Sequence, residues 1–141
     1  MITMRDIAQR HKDCWQSFRG LPAWVQVWVA GILIPVNAVS FLFLDMESGR
    51  CISVAAILVL ATNYPIMLAS RGMSRLLSVP HLLIWVPLEL ALVDRVFTKD
   101  LQAPELYLVL AVLLINGISL LFDFQDSWRW IRGEREVPRH L

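Results

Sequence analysis

Four apolar stretches, Leu21 to Leu44, Cys51 to Ser70, Val79 to Phe97 and Pro104 to Phe122, take up most of a chain of 141 residues. A bilayer core about 30 Å thick is crossed by roughly 20 apolar residues of helix, and each stretch is near that length. The chain is 57% hydrophobic and 18% charged; soluble domains average about 45–50% and about 25%. A soluble core this small hides one or two such helices on all sides, whereas here four follow one another, so lipid is the expected solvent. Connections at 45–50, 71–78 and 98–103 are short, which makes consecutive helices antiparallel neighbours. The expected fold is therefore all-α: an integral membrane four-helix bundle, up-down-up-down, with amphipathic interfacial helices at both ends.

Three segments are expected. Residues 1–20 form an N-terminal arm, 21–123 the four-helix transmembrane domain and 124–141 a C-terminal basic tail. In the arm Met4, Ile7, Cys14, Trp15 and Phe18 share one helical stripe, while Arg5, Asp6, Arg10, Lys12, Asp13 and Arg19 lie mostly elsewhere. In the tail Phe124, Trp128 and Ile131 recur at i, i+4, i+7, with Arg129, Arg132 and Arg135 facing away, and Pro138 is expected to stop the helix. His140, near the end of that tail, reads as solvated.

Lysine and arginine placement sets the orientation. Ten of the 13 flank the same side: Arg5, Arg10, Lys12 and Arg19 in the arm, Arg71 and Arg75 in the second connection, and Arg129, Arg132, Arg135 and Arg139 in the tail. Only Arg50, Arg95 and Lys99 fall opposite. Positive residues are retained in the cytoplasm, so both termini are expected there, in an inner or plasma membrane. Trp15, Trp24, Trp28, Trp128 and Trp130 gather at the same boundary, where indole rings prefer to sit; Trp85 alone lies deep. A cleaved signal peptide is the competing account of the first stretch. Its apolar run is too long and its charged lead too extended for one, so it is read as a retained helix. Cys14 and Cys51 then lie on opposite sides of the membrane and cannot pair with each other. Palmitoylation of Cys14 or an intermolecular bridge through Cys51 are the alternatives to free thiols.

Prolines differ by position. Pro80 suits the first turn of the third helix, with Ser78 as its N-cap. Pro35, Pro65 and Pro87 lie inside spans, where each frees the carbonyl four residues earlier.

Depth counting at about 1.5 Å per residue puts Asn63, Asn116 and Glu89 within about 5 Å of the midplane, and Asn37 roughly 7 Å from it toward the outside. Lipid offers these groups no partner, so they are expected to point inward and meet one another, with Ser40, Thr62, Tyr64 and Ser119 extending the network. Glu89 stands out energetically. The third stretch holds eleven Leu, Ile, Val or Phe residues. At roughly 0.3–0.6 kcal/mol each these favour insertion by about 3–7 kcal/mol, against roughly 3 kcal/mol for one central charge. A carboxyl there must be protonated or held by partners.

Ser78, His81, Trp85 and Glu89 are spaced 3, 4 and 4 and share one face of that helix, with His81 about 12 Å from Glu89. One reading is a proton or cation path, with His81 at the mouth, Trp85 as plug and Glu89 as the gated carboxyl. The other makes His81 an interfacial residue and Glu89 a structural partner of the asparagines. No nucleophile set, metal-ligand set, haem-ligand pair or nucleotide motif is present, so the chain reads as a non-enzyme without catalytic residues, metal or cofactor. His11 and Cys14 at i, i+3 give only two ligands. The scattered arginines are explained by topology, and no nucleic-acid partner is expected. The expected partners are the bilayer and either a second copy of the chain or a larger membrane complex. The leading expectation is an assembly or accessory subunit acting through helix packing; a small proton- or cation-coupled transporter or channel using Glu89 is the alternative.

Overall fold

The structure, a computed structural model, describes residues 3–139, so His140 lies outside the described residues. Among the described residues every regular element is helical. Four helices are long and apolar enough to cross a membrane: Ala23–Leu42, Glu47–Ser70, Arg75–Thr98 and Ala103–Ile131, called here the first to fourth spans. Large apolar side chains are exposed on all four, among them Leu42, Leu60, Leu83 and Leu114. Burying such surface in a lipid-like medium is favourable by roughly 25 cal/mol per Å², so these outer faces are compatible with a lipid surround.

The arm helix, Met4–Arg19, opens with a reciprocal capping box. Thr3 Oγ1 accepts from the Asp6 amide at 3.2 Å, and the Asp6 carboxylate accepts from the Thr3 amide at 2.8 Å. It docks by a mixed face on which only Cys14 of the apolar stripe is buried, beside polar Asp13 and Ser17. Asp13, Cys14 and Ser17 are buried, while Met4 and Trp15 stay exposed. Arg10 Nη1 donates to the Leu68 carbonyl at 2.8 Å, the Cys14 thiol to the Met67 carbonyl at 3.3 Å, and Ser17 Oγ accepts from the Met73 amide at 2.8 Å. The first two contacts satisfy carbonyls at the end of the second span, where a helix runs out of its own donors, and the third holds an amide of the turn that follows.

Pro35 reshapes the first span. Residues Trp28–Leu33 form a π-helical turn between two α-helical pieces, closed by the Ile34 amide donating back to the Val29 carbonyl. The wider turn accommodates the donor that Pro35 lacks. The chain then tightens into a 3-10 turn, Ser40–Leu42, and passes close beneath the second span, where a β-carbon on Gly49 would collide with the Phe43 carbonyl.

After the second span Arg71 takes a left-handed conformation, φ 53°, and the Gly72 amide caps the Met67 carbonyl at 3.0 Å. A β-carbon on Gly72 would meet Ser17 Cβ at 2.6 Å and Val137 Cγ1 at 2.5 Å, so arm, turn and tail converge on this residue. Ser74, not Ser78, supplies the side-chain cap here: its hydroxyl accepts from the Leu76 amide, opening a 3-10 turn, Arg75–Leu77, that runs into the α-helix Ser78–Thr98. Ser78 is displaced from the cap because the helical path starts three residues sooner. Its hydroxyl donates to the Arg75 carbonyl at 2.6 Å and contacts Ser127 Oγ at 2.6 Å.

The fourth span is continuous for 29 residues. At about 1.5 Å per residue it is longer than a bilayer core is thick. The expected separate amphipathic helix after residue 123 is therefore the end of this same helix. It stops at Ile131, before Pro138, and the chain reverses at Gly133 with φ 97°.

Contacts close the spans into a ring, the first against the second and fourth, the third against the second and fourth, with the third and fourth most intimately paired. Ile52, Leu92, Val109 and Val112 are fully enclosed, with Leu33, Ala55, Trp85, Leu88 and Leu108 around them. Two ends can be told apart. At the arm end lie the arm helix, the 71–77 turn and the tail; at the far end lie the connections 43–46 and 99–102.

Candidate functional site: the polar interior of the bundle

Polar side chains form a series of clasps along the interior. At the far end Arg95 reaches Glu47 at 2.7 Å, Glu105 at 3.1 Å and Ser48 Oγ at 2.9 Å, joining the second, third and fourth spans. Arg95 and Glu105 are both largely withdrawn from the surface. One layer inward Ser40 donates to the Asn37 carbonyl at 2.6 Å, which leaves the Ser53 hydroxyl to donate to Ser40 at 2.8 Å. Beneath it Asn37 and Asn116 exchange two side-chain hydrogen bonds, at 2.7 and 3.1 Å, and Asn37 also donates to the Leu33 carbonyl. Both asparagines are buried. A further clasp is Trp28 Nε1 donating to Ser119 Oγ at 2.9 Å.

Toward the arm end the pattern changes. Trp85 is buried and stacks face to face on His81, with ring centres 4.4 Å apart and 3° between planes. His81 bridges two other helices: Nδ1 lies 3.2 Å from Asp123 Oδ1 on the fourth span and Nε2 2.9 Å from Asn63 on the second. A Ser78–Ser127 contact follows, and then Arg75 meets Asp126 at 3.3 Å.

Of the residues expected to share a mid-membrane layer, Asn37 and Asn116 are together. Asn63 is not with them; it joins His81. Counting depth within each span takes no account of axial offsets between helices, and the early turns of the third span sit beside this part of the second. Glu89 touches neither asparagine through a hydrogen bond. Its carboxyl points toward Gly117, where a β-carbon would stand 3.7 Å from Oε2, and Oε1 is buried without a partner among the described residues. Thr62 bonds back to its own helix at Leu58 and Val59, and Tyr64 reaches outward to His11 at 2.8 Å.

Asp123 belongs to this site although it lies at the edge of the fourth apolar stretch. A signal for it is present in the sequence: Asn116, Ser119, Asp123 and Ser127 are spaced 3, 4 and 4, the same spacing as Ser78, His81, Trp85 and Glu89, so each helix carries one polar stripe. Four buried polar atoms on these stripes and on the facing second span have no hydrogen-bond partner among the described residues: Asn63 Oδ1, Trp85 Nε1, Glu89 Oε1 and Asp123 Oδ2. Each such group is destabilising by about 1–3 kcal/mol unless something satisfies it. Hydrogen-bonding capacity is thus consumed in the Asn37–Asn116 half and left over in the His81–Glu89 half.

Among the described residues no group of three or more His, Cys, Asp and Glu is placed to hold a metal ion. His11 and Cys14 face different partners, Tyr64 and Met67. Cys14 is a free thiol, and burial against the second span pushes it above its ordinary range, away from the reactive thiolate; Cys51 is free and exposed. No protein-family model matches the chain, and neither curated proteins nor solved structures give a match.

Proposed function

We propose that this chain is a small multi-pass membrane protein, an up-down-up-down bundle in an inner or plasma membrane with both termini cytoplasmic. It acts without enzymatic chemistry, as an assembly or accessory subunit or as an oligomer that works through helix packing. The observation that carries this reading is the closed asparagine clasp, flanked by serine and Arg95–Glu105 contacts, which spends interior polar groups on holding helices to one another. The broad apolar outer faces are then available to lipid and to partner helices. Gentle detergent extraction followed by cross-linking and native mass spectrometry tests it. A stable membrane partner or self-oligomer is expected; a lone monomer would contradict it.

The second reading, a proton- or cation-coupled transporter or channel, is favoured by one specific observation: the unpartnered polar atoms along His81, Trp85 and Glu89. Intramembrane ionisable groups are functional more often than ornamental, and unsatisfied groups invite water or a transported ion. Flux in liposomes that disappears in Glu89→Gln, at unchanged abundance and folding, is its expected signature. Absence of flux in the parent protein rejects it.

A further inference from the structure

At the arm end, outside the apolar part of the bundle, three guanidinium groups surround a cavity of about 280 Å³ lined by Arg75, Arg129, Gly133, Glu134, Arg135 and Glu136. They come from separate places: Arg75 from the 3-10 turn before the third span, Arg129 from the last turns of the fourth, and Arg135 from the chain after the Gly133 reversal. Two of them are pinned. Arg75 Nε bonds Asp126 and its Nη1 donates to the Glu134 carbonyl at 3.3 Å, while Arg129 Nε bonds the Glu134 carboxylate at 2.7 Å. Arg135 rests on Trp130, 4.3 Å from the ring centre. The remaining N–H groups of Arg75 and Arg129 and the whole guanidinium of Arg135 carry no protein hydrogen bond among the described residues. Neither does the Glu136 carboxylate.

The lining is therefore of mixed sign. A simple anion would gain the arginines but face Glu136, a like charge. A phosphate ester that carries its own primary ammonium satisfies both: phosphate oxygens accept from guanidinium groups in the forked geometry arginine favours, and the ammonium donates to the carboxylate. Ligand pockets for whole small molecules run from about 300 to 1,000 Å³, so this cavity is of headgroup size. Leading to this end along the fourth span, Leu121, Phe124, Trp128 and Ile131 are exposed at spacings of 3, 4 and 3, an apolar track for acyl chains. In the membrane reading Trp128 and Trp130 fall at this same end, the place where indole rings meet headgroups.

We propose that this cavity binds the headgroup of an aminophospholipid, its phosphate on Arg129 and Arg135 and its ammonium on Glu136. The assignment rests on the membrane reading above. The test adds phosphatidylethanolamine, phosphatidylcholine or phosphatidylglycerol of matched acyl chains to the detergent-purified full chain and counts retained lipid by native mass spectrometry. Phosphatidylethanolamine is expected to be retained about fivefold over phosphatidylcholine, whose methylated ammonium cannot donate. Glu136→Gln should abolish that preference, and Arg135→Gln should lower retention of phosphatidylethanolamine and phosphatidylglycerol alike. Equal retention of the three lipids, stronger retention of phosphatidylglycerol, or variants that bind as the parent does would overturn the proposal. Displacement of the lipid by soluble phosphoethanolamine at equal concentration would overturn it too, making this a site for a small solute. Carbonate washing of membranes serves as the separate control: release of the chain would sink the membrane reading itself, whatever the lipid result.

Discussion

Asn37 and Asn116 show how one pair of side chains decides whether interior polarity helps or harms. Each amide satisfies the other at 2.7 and 3.1 Å with no solvent to replace a lost partner. Asn116→Leu should strand the Asn37 amide and destabilise the bundle by about 1–3 kcal/mol, whereas Asn37→Leu combined with Asn116→Leu should recover a large part of the loss. Reversible unfolding in detergent, run as a double-mutant cycle, measures the coupling. Additive losses would mean the asparagines do not act as a pair. A second residue-scale prediction concerns the arm. The Thr3 hydroxyl and amide hold the Asp6 carboxyl below its ordinary value of 3.8. A folded-state value that is depressed contributes stability above the unfolded value and loses it as pH falls, so the capping box should open only under acid, below about that ordinary value. The Thr3 amide resonance should shift over that range in the parent and stay fixed in Asp6→Asn.

At the scale of elements, the four spans were legible because apolar runs of crossing length have few other uses. Their ends were less so. Ser78 directly precedes the apolar run while Ser74 is separated from Leu76 by Arg75, and only the 3-10 turn between the two serines decides that Ser74 caps. The fourth helix continues past residue 122 because Asp123, Gln125 and Asp126 change the polarity of the face without breaking the backbone, and no glycine or proline intervenes before Gly133. Pro35 marked a disturbed stretch in the first span but not that it would take the form of a π-helical turn, since apolar spacing reads the same through one widened turn. In the interior, Glu89, His81 and Trp85 could be placed on one face from spacing alone, while the Asn63–His81–Asp123 bridge depends on offsets between helices that no single-helix period encodes. Gly72 offers a direct test of how the arm is held. Gly72→Ala forces a β-carbon into Ser17 and Val137. The arm should detach, and Cys14 should react with a maleimide at least about tenfold faster, since reaction would no longer wait on local opening. Unchanged labelling would show that the arm adapts without releasing.

Across the whole molecule, a membrane bundle needs the ring of four spans to have one environment outside and two distinct sides. Apolar residues exposed on every span, an arm end rich in arginine and tryptophan and a far end held by Arg95 support that assignment together. Arg95→Ala should weaken the far end by about 1–3 kcal/mol, because it leaves the half-buried Glu105 carboxylate with only the Ser48 amide as donor. Loss of thermal stability with retained helicity is the expected result. The most direct measurement is side-specific labelling in intact cells of a chain carrying Cys14→Ser and Cys51→Ser, with a single new cysteine at exposed Asp45 or exposed Lys12. A membrane-impermeant maleimide should label Asp45→Cys before permeabilisation and Lys12→Cys only after it. Labelling of both from the same side would contradict a bundle that crosses the membrane with its arm end in the cytoplasm.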